Sequence, residues 1–175
     1  MPSDLPVHKA AYNGNLSDLK EAFKDLKKEN KFDPDVPGAQ HRTPLMRACG
    51  SSSDPKDVIK CAEYLISLGA NVNAADDARR NCLHWAILGN NRYIVDFLMK
   101  QNIDINQQTS SGASPLHLAV KAGNAEMVSA LMTFGSDKSL LWEGKTAGRL
   151  ALELNHHKIA NMLGEKKKSS KCILL

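Results

Sequence analysis

Two apolar stripes with helical spacing follow each other in residues 114–135. Their members are Leu116, Ala119 and Val120 in the first stripe and Met127, Val128, Leu131 and Met132 in the second. Ser114-Pro115 is typical of a helix start, Gly123 of a helix end, and Asn124 of the next helix start. The segment therefore predicts two short helices joined by a tight turn.

The same pattern occurs five times along the 175 residues. Its blocks begin at Leu5, Thr43, Asn81, Ser114 and Thr146, so the successive intervals are 38, 38, 33 and 32 residues. A second apolar stripe follows each start, over 16–26, 58–68, 93–99, 127–132 and 159–163. Stretches rich in Gly, Asn and Asp separate the blocks and predict turns. Because two short helices cannot bury their stripes alone, we expect the units to stack side by side.

The blocks TPLMRACG, NCLHWAILGNN and SPLHLAVKAGN resemble the ankyrin repeat, whose pattern runs T-P-L-H-x-A, then Gly, then G-A-x-V-N. The resemblance covers nearly all of residues 5–163 and is strongest over 43–137. It implies an all-α solenoid of helix–turn–helix units joined by β-hairpin-like fingers, with the first and last of five repeats as caps. We assign residues 1–164 to this repeat domain and 165–175 to a flexible tail.

Several positions depart from the family pattern. GSSSDP at residues 50–55 separates the two helices of the second repeat, where Asp54 and Pro55 still predict a helix start. Asn90 and Asn102 stand where the family prefers Gly, and Asn tolerates the left-handed conformation next best. Arg79 also replaces a Gly, which leaves the geometry of that turn open. Gly148 replaces a buried Leu in the last repeat.

His8, His84 and His117 recur at one position of three repeats. They could form a metal-binding or catalytic row, or each could fix a helix start and bridge to the next repeat, as the resemblance implies. Their spacing, one per repeat, favours the second interpretation. No nucleophile elbow, phosphate-binding loop or HExxH motif is present, so we expect no enzymatic activity, no cofactor and no metal site. Cys49, Cys61 and Cys82 lie among apolar helical positions and are expected to be buried thiols.

By the family's geometry, exposed fingertip residues and the ends of the first helices bind a protein partner on the concave face. The residues assigned to this role are Tyr12, Arg42, Asp77, Arg80, Leu88, Ser110, Ser111, Lys121, Trp142 and Lys145. Trp, Tyr and Arg are enriched in interface hot spots. Trp142 could equally be a docking residue or a plug over the last repeat. Trp85 is expected to pack between neighbouring helices.

The charge is concentrated in the tail. The chain has 23 Lys and Arg and 19 Asp and Glu. Residues 165–175 hold four of the bases and one acid, which leaves 19 bases, 18 acids and a net charge of +1 in residues 1–164. A nucleic-acid-binding domain needs a basic face, so we expect no nucleic-acid partner. The four tail bases are Lys166, Lys167, Lys168 and Lys171.

Cys172-Ile173-Leu174-Leu175 has the form of a CaaX box with Leu last, which is typical of geranylgeranylation of the cysteine by a prenyltransferase. The lysines would add attraction to an anionic membrane, and phosphorylation of Ser169 and Ser170 would weaken it. No signal peptide or membrane-spanning run is recognised, so the expected location is the cytoplasmic face of a membrane.

The leading prediction from the sequence is a monomeric, non-enzymatic adaptor anchored through Cys172. A soluble ankyrin-type inhibitor or assembly chaperone with an incidental tail is the alternative. A third possibility is that KKKSSK is a nuclear address or a contact for an acidic partner.

Overall fold

A computed structural model of the chain describes residues 3–165, which contain ten α-helices arranged as five antiparallel pairs. The first helices of the pairs are α1 (Pro6–Tyr12), α3 (Pro44–Cys49), α5 (Cys82–Leu88), α7 (Pro115–Lys121) and α9 (Ala147–Glu153). The second helices are α2 (Leu16–Lys28), α4 (Pro55–Ser67), α6 (Arg92–Leu98), α8 (Ala125–Thr133) and α10 (His157–Met162). The predicted all-α solenoid of stacked helix pairs is confirmed.

Polar side chains begin most of the helices. Thr43, Ser114 and Thr146 each accept a hydrogen bond from a backbone N–H in the first turn of the following helix. Asn124 does the same for α8, as its position after Gly123 predicted. These caps satisfy backbone groups that a helix end leaves unpaired, so each short helix has a defined start.

One continuous core runs along the stack. The first helices form a row in which α1 packs on α3, α3 on α5, α5 on α7 and α7 on α9. The largest buried side chains come from both helices of successive pairs and include Phe23, Leu45, Leu65, Leu83, Leu98, Leu116 and Leu131. Because each pair buries its apolar stripes against its neighbours, no pair is complete alone.

Hydrogen bonds also join the fingers, the loops that precede α3, α5, α7 and α9. At the tips, the backbone N–H of Asp77 donates to the Gln40 carbonyl (3.2 Å), and that of Ser110 donates to the Ala78 carbonyl (2.9 Å). At the bases, the Asp104 N–H donates to the Asn73 side chain at 2.7 Å. These hydrogen bonds fix the position of each finger relative to the next, on the side of the molecule that also carries the first helices.

The departures from the repeat pattern have different outcomes. Asp54 and Pro55 begin α4 as predicted, so the 50–55 insertion delays the helix without breaking it. Asn90 adopts the left-handed conformation with φ of 51°. Asn102 does not, because α6 ends at Leu98 and the chain turns earlier than in the neighbouring repeats. Gly148 is buried, and an added Cβ there would meet the side chain of Glu165.

Arg79 also adopts the left-handed conformation, with φ of 59°. An L-residue in this conformation loses about 1 kcal/mol of stability because its Cβ is crowded. Glycine avoids this crowding, but it also loses more backbone entropy on folding, which offsets part of the gain. We expect Arg79→Gly to leave the free energy of unfolding unchanged or to raise it by up to about 1 kcal/mol. Urea denaturation checks this, and a loss of stability would contradict the assigned turn.

Some predictions concern residues outside those that the structure describes. They are the lipidation of Cys172, the membrane contacts of Lys166, Lys167, Lys168 and Lys171, and the modification of Ser169 and Ser170. Among residues 3–165, no helix has both the length and the apolar character needed to cross a membrane.

Candidate binding surface

A groove runs along the side of the molecule formed by the fingers and the first helices. It is called the inner groove here, and it is lined by Ala78, Arg80, Leu88, Thr109, Ser110, Ser111, Ala113, Leu118, Lys121 and Trp142. Fingers supply one wall, and the last turns of α5 and α7 supply the other. Its volume of about 200 Å³ is smaller than a typical small-molecule site, so it fits protein side chains better than a cofactor.

Trp142 forms the end of the inner groove. Its backbone N–H donates to the Lys145 carbonyl (2.9 Å) in a short hairpin, which positions the indole over α7. There the ring packs edge-on against the His117 ring, with 6.0 Å between centroids, and the Lys121 ammonium lies 5.2 Å from the indole centroid. Trp142 therefore covers part of α7 and lines the groove.

A smaller pocket adjoins the inner groove toward the amino-terminal repeats. This arginine pocket is lined by Tyr12, Arg42, Met46, Arg47, Gly50 and Trp85. The guanidinium carbons of Arg42 and Arg80 lie 4.1 and 4.2 Å from the centroid of the half-buried Trp85 ring. Trp85 thus holds two cations from successive fingers and links the arginine pocket to the inner groove. The expectation that Trp85 only packs between helices was incomplete.

Asp76 positions this stacked group. Its carboxylate is fully buried and accepts hydrogen bonds from the backbone N–H groups of Ala78 and Arg80, each at 2.9 Å. It also accepts from Arg80 Nε (2.9 Å) and from Trp85 Nε1 (3.2 Å). A buried carboxylate with four donors is well compensated, and it fixes the orientation of both Trp85 and Arg80.

Arg47 forms an ion pair with the carboxylate of Asp4. Its guanidinium Nη2 lies 2.5 Å from Oδ2 of Asp4, and Asp4 Oδ1 accepts from the Ala39 N–H at 2.9 Å. Burial alone would raise the pKa of Asp4, but these two hydrogen bonds outweigh burial and hold the pKa below its usual value. Asp4 is therefore ionised at neutral pH and compensates Arg47.

The three histidines of the repeat motif have a structural role. His8 and His117 each accept a backbone N–H of their own helix start at Nδ1 and donate from Nε2 to a carbonyl of the next finger, Val36 (2.9 Å) and Lys145 (3.1 Å). Their predicted bridging is confirmed. His84 accepts from the Asn81 N–H (3.2 Å) in the same way.

Nε2 of His84, unlike Nε2 of His8 and His117, has no clear hydrogen-bond acceptor among residues 3–165. Its Nε2 is buried and makes no hydrogen bond of normal geometry, although the carbonyls of Ala113 and Gln107 lie near it. Burial lowers the pKa of His84 to about 4. All three rings have a lowered pKa because burial disfavours their charged form. All three histidines are therefore neutral at physiological pH, and His8 and His117 bridge successive repeats.

The structure brings eight of the ten predicted partner-binding residues together. Six line the inner groove, namely Arg80, Leu88, Ser110, Ser111, Lys121 and Trp142, and Tyr12 and Arg42 line the arginine pocket. Asp77 lies at a fingertip, where it accepts from His41 Nδ1 at 2.6 Å. Lys145 forms an exposed ion pair with Glu153 at 2.7 Å. Their use in binding stays a prediction.

Sequence reasoning missed several residues of these surfaces. Trp85 and Asp76 were not assigned to the binding face, although a Trp four residues after the capping Asn81 and an Asp four residues before an Arg gave a signal. Tyr93 was also missed. Its side chain is 67% exposed and lies beside the 50–55 insertion, outside the inner groove.

We searched residues 3–165 for clustered metal-binding side chains and for reactive thiols. No three His, Cys, Asp or Glu side chains in this range converge to hold a metal ion. Cys49, Cys61 and Cys82 are buried as predicted, and burial raises the pKa of Cys61 to about 11. A thiol with such a pKa is protonated and unreactive at neutral pH.

Comparison with known proteins gives the same architecture. A family model described as ankyrin repeats in three copies matches residues 7–109 and again 102–172. A putative ankyrin repeat protein, L271, of Acanthamoeba polyphaga mimivirus is 32% identical over 95 residues, which are 54% of this chain and 13% of that protein. Inversin of Gallus gallus is 33% identical over 130 residues, or 72% of this chain and 11% of inversin.

A third relative comes from a spider. Delta-latroinsectotoxin-Lt1a of Latrodectus tredecimguttatus is 41% identical over 78 residues, which cover 43% of this chain and 6% of the toxin. This chain therefore spans only a small part of the relatives it matches, and the similarity concerns their repeats. Such repeats typically form non-enzymatic scaffolds. The repeat spacing, the stacked helix pairs and the match over most of the sequence show that the chain belongs to the ankyrin-repeat family and forms a protein–protein interaction domain.

Proposed function

We propose that this protein is a non-enzymatic adaptor that binds a protein partner in the inner groove and holds it at the cytoplasmic face of a membrane. One observation carries the first half of the proposal. Residues from three successive repeats, predicted to bind from their positions alone, line a single groove that includes the half-exposed Leu88 and the partly buried Trp142. Two of its lining residues, Arg80 and Trp142, are of types enriched in interface hot spots.

The tail supports the second half. Where Leu175 is the carboxyl end of the protein, Cys172 stands in a CaaX box of the geranylgeranyl type. A single lipid chain gives marginal membrane binding, so a second signal is needed. Each nearby lysine adds about 1 kcal/mol at an anionic surface, so the four tail lysines contribute about 4 kcal/mol before screening by salt. Lipid and lysines together make a two-part anchor.

The paired serines give this anchor a means of release. Phosphorylation of Ser169 and Ser170 would add about three to four negative charges beside four lysines and offset most of their attraction. We expect Ser→Asp at both positions to move the prenylated protein partly into the soluble fraction. Unchanged membrane partitioning would count against the switch and would leave the anchor in place.

Point variants test membrane anchoring and partner binding separately, in a cell that has prenyltransferases. With an amino-terminal tag, the wild-type protein is expected in the membrane fraction together with its bound partner. Cys172→Ser is expected to move most of both into the soluble fraction. Leu88→Glu is expected to remain at the membrane without the partner, because it places a charge in the inner groove. Lys100→Glu, on the exposed surface at the end of α6, is the matched control.

Two outcomes favour other functions. If Cys172→Ser leaves partitioning unchanged and the native carboxyl-terminal peptide has no added lipid mass, the protein is a soluble inhibitor or assembly chaperone. If Cys172→Ser accumulates in the nucleus while a form with the tail lysines changed to Ala does not, KKKSSK is a nuclear address. The first result would overturn the anchor. The second would overturn the membrane role of the tail lysines and would leave the role of Cys172 in place.

A further inference from the structure

The charged side chains in and around the arginine pocket comprise three arginines, Arg42, Arg47 and Arg80, and two carboxylates, Asp4 and Asp76. Arg47 pairs with Asp4, and Arg80 pairs with the buried Asp76. Arg42 forms no ion pair within residues 3–165; its guanidinium contacts the Trp85 ring and the neutral Gln40 side chain, and its buried Nε makes no hydrogen bond. The surplus positive charge is therefore located at Arg42.

The surroundings of Arg42 make this charge costly. Burial, and then the nearby charges of Arg47 and Arg80, lower the pKa of Arg42. Two guanidinium groups share the Trp85 ring, so the aromatic face holds them in place and does not cancel their charge. An added carboxylate would relieve both the poor solvation of Arg42 and the repulsion among the three arginines.

A second surplus cation lies at the other end of the inner groove. Lys121 is exposed and lies over the Trp142 ring, and it pairs with no carboxylate within the described part of the chain. The indole Nε1 of Trp142 is buried and has no acceptor among residues 3–165. Between Arg42 and Lys121 the groove presents the half-exposed Leu88, the small side chains of Ala78, Ser110 and Ser111, and Arg80, whose charge Asp76 compensates.

We propose that the partner presents an extended acidic protein segment to this surface, with one carboxylate on Arg42, a second on Lys121 and an apolar side chain against Leu88. The inference rests on the proposed use of the inner groove and is independent of the lipid anchor. Two cations that form no ion pair within residues 3–165, Arg42 in the arginine pocket and Lys121 in the inner groove, have the exposed Leu88 between them. This arrangement matches alternating acidic and apolar residues of a peptide. It suits neither a flat membrane nor a nucleic-acid backbone, which needs a continuous row of bases.

The two tryptophans provide a direct readout, because the chain has only two and both contact a surplus cation. The probe is a capped 12-residue peptide in which Asp and Glu alternate with Leu and Phe. Its control has Asn and Gln in place of the acids. Each peptide is titrated into the purified protein, and the change in tryptophan emission gives its dissociation constant. The acidic peptide should have a dissociation constant at least about tenfold lower than the neutral one, as expected for a charge-assisted hydrogen bond.

Variants identify the residues involved. Arg42→Gln and Lys121→Gln should each weaken binding of the acidic peptide about tenfold, whereas Lys100→Gln makes the same change of charge outside the groove and should have no effect. Arg42→Lys should retain part of the binding, since it keeps the charge and loses the planar stack. Trp85→Phe leaves Trp142 as the only reporter, and thermal unfolding checks that each variant is folded.

Three results would overturn the inference: equal binding of the acidic and neutral peptides, undiminished binding by folded Arg42→Gln, or binding of phosphatidylserine vesicles or duplex DNA in place of the peptide through Arg42. Failure of the adaptor itself looks different. If partner capture in cells depends on Leu88 but not on Arg42, the inner groove is a binding site and only its acidic specificity is wrong.

Discussion

Replacing Leu83 with alanine is expected to lower the free energy of unfolding by about 3–5 kcal/mol. Leu83 is fully buried in α5, the middle member of the row of first helices, which packs on α3 and α7. Truncation there leaves a cavity between repeats. Because a repeat array is stabilised only by contacts between neighbours, damage at its centre also uncouples the two ends.

Urea denaturation followed by circular dichroism measures this effect. We expect a lower midpoint and a broader transition, since the end repeats would unfold separately. Leu154→Ala is the matched control, because Leu154 is 40% exposed and its truncation should cost less than about 1 kcal/mol. A loss below 1 kcal/mol for Leu83→Ala would contradict the stacked core.

Mild acid is expected to destabilise the fold through its buried histidines. As pH falls through 6.5, the unfolded chain binds a proton at position 84, whereas the folded chain does so only near its pKa of about 4. Proton binding therefore stabilises the unfolded state first, and the stability of the folded state falls between pH 6.5 and 4. His84 alone should cost about 2 kcal/mol between pH 7.5 and 5, and His8 and His117 act in the same direction.

The test is the slope of the free energy of unfolding against pH. His84→Asn should flatten the slope between pH 7 and 5, whatever its effect on absolute stability. His157→Gln, at an exposed position of α10, should keep the full slope. An unchanged slope in His84→Asn would show that His84 is not held neutral by burial.

The helix pairs were predictable from the sequence because local signals define them. Apolar stripes, a capping Asn, Asp, Ser or Thr before eight of the ten helices and Gly after most first helices specify short helices without reference to distant residues. The recurring interval then requires that the pairs stack. The turn at Asn102 was less predictable, since its conformation depends on where α6 ends, and helix ends are the least certain feature of a sequence pattern.

The location of the candidate binding surface could be predicted from the sequence, but the charges and contacts within it could not. Leu88 and Lys121 follow from the repeat register, which places the ends of first helices beside the fingers. The pairing of Arg42 and Arg80 on Trp85 depends on contacts between repeats and on the buried Asp76, and no single repeat contains them. Surplus charge at Arg42 appears only after every carboxylate near it has been assigned to a partner.

Site-specific photo-crosslinking in cells tests most directly that the inner groove is where the partner binds. A benzoylphenylalanine side chain is placed at position 88, inside the groove, or at position 100, on the exposed surface at the end of α6. Irradiation should couple a discrete protein to position 88 and not to position 100. Coupling at position 100 with none at position 88 would place the binding surface outside the inner groove and contradict the account.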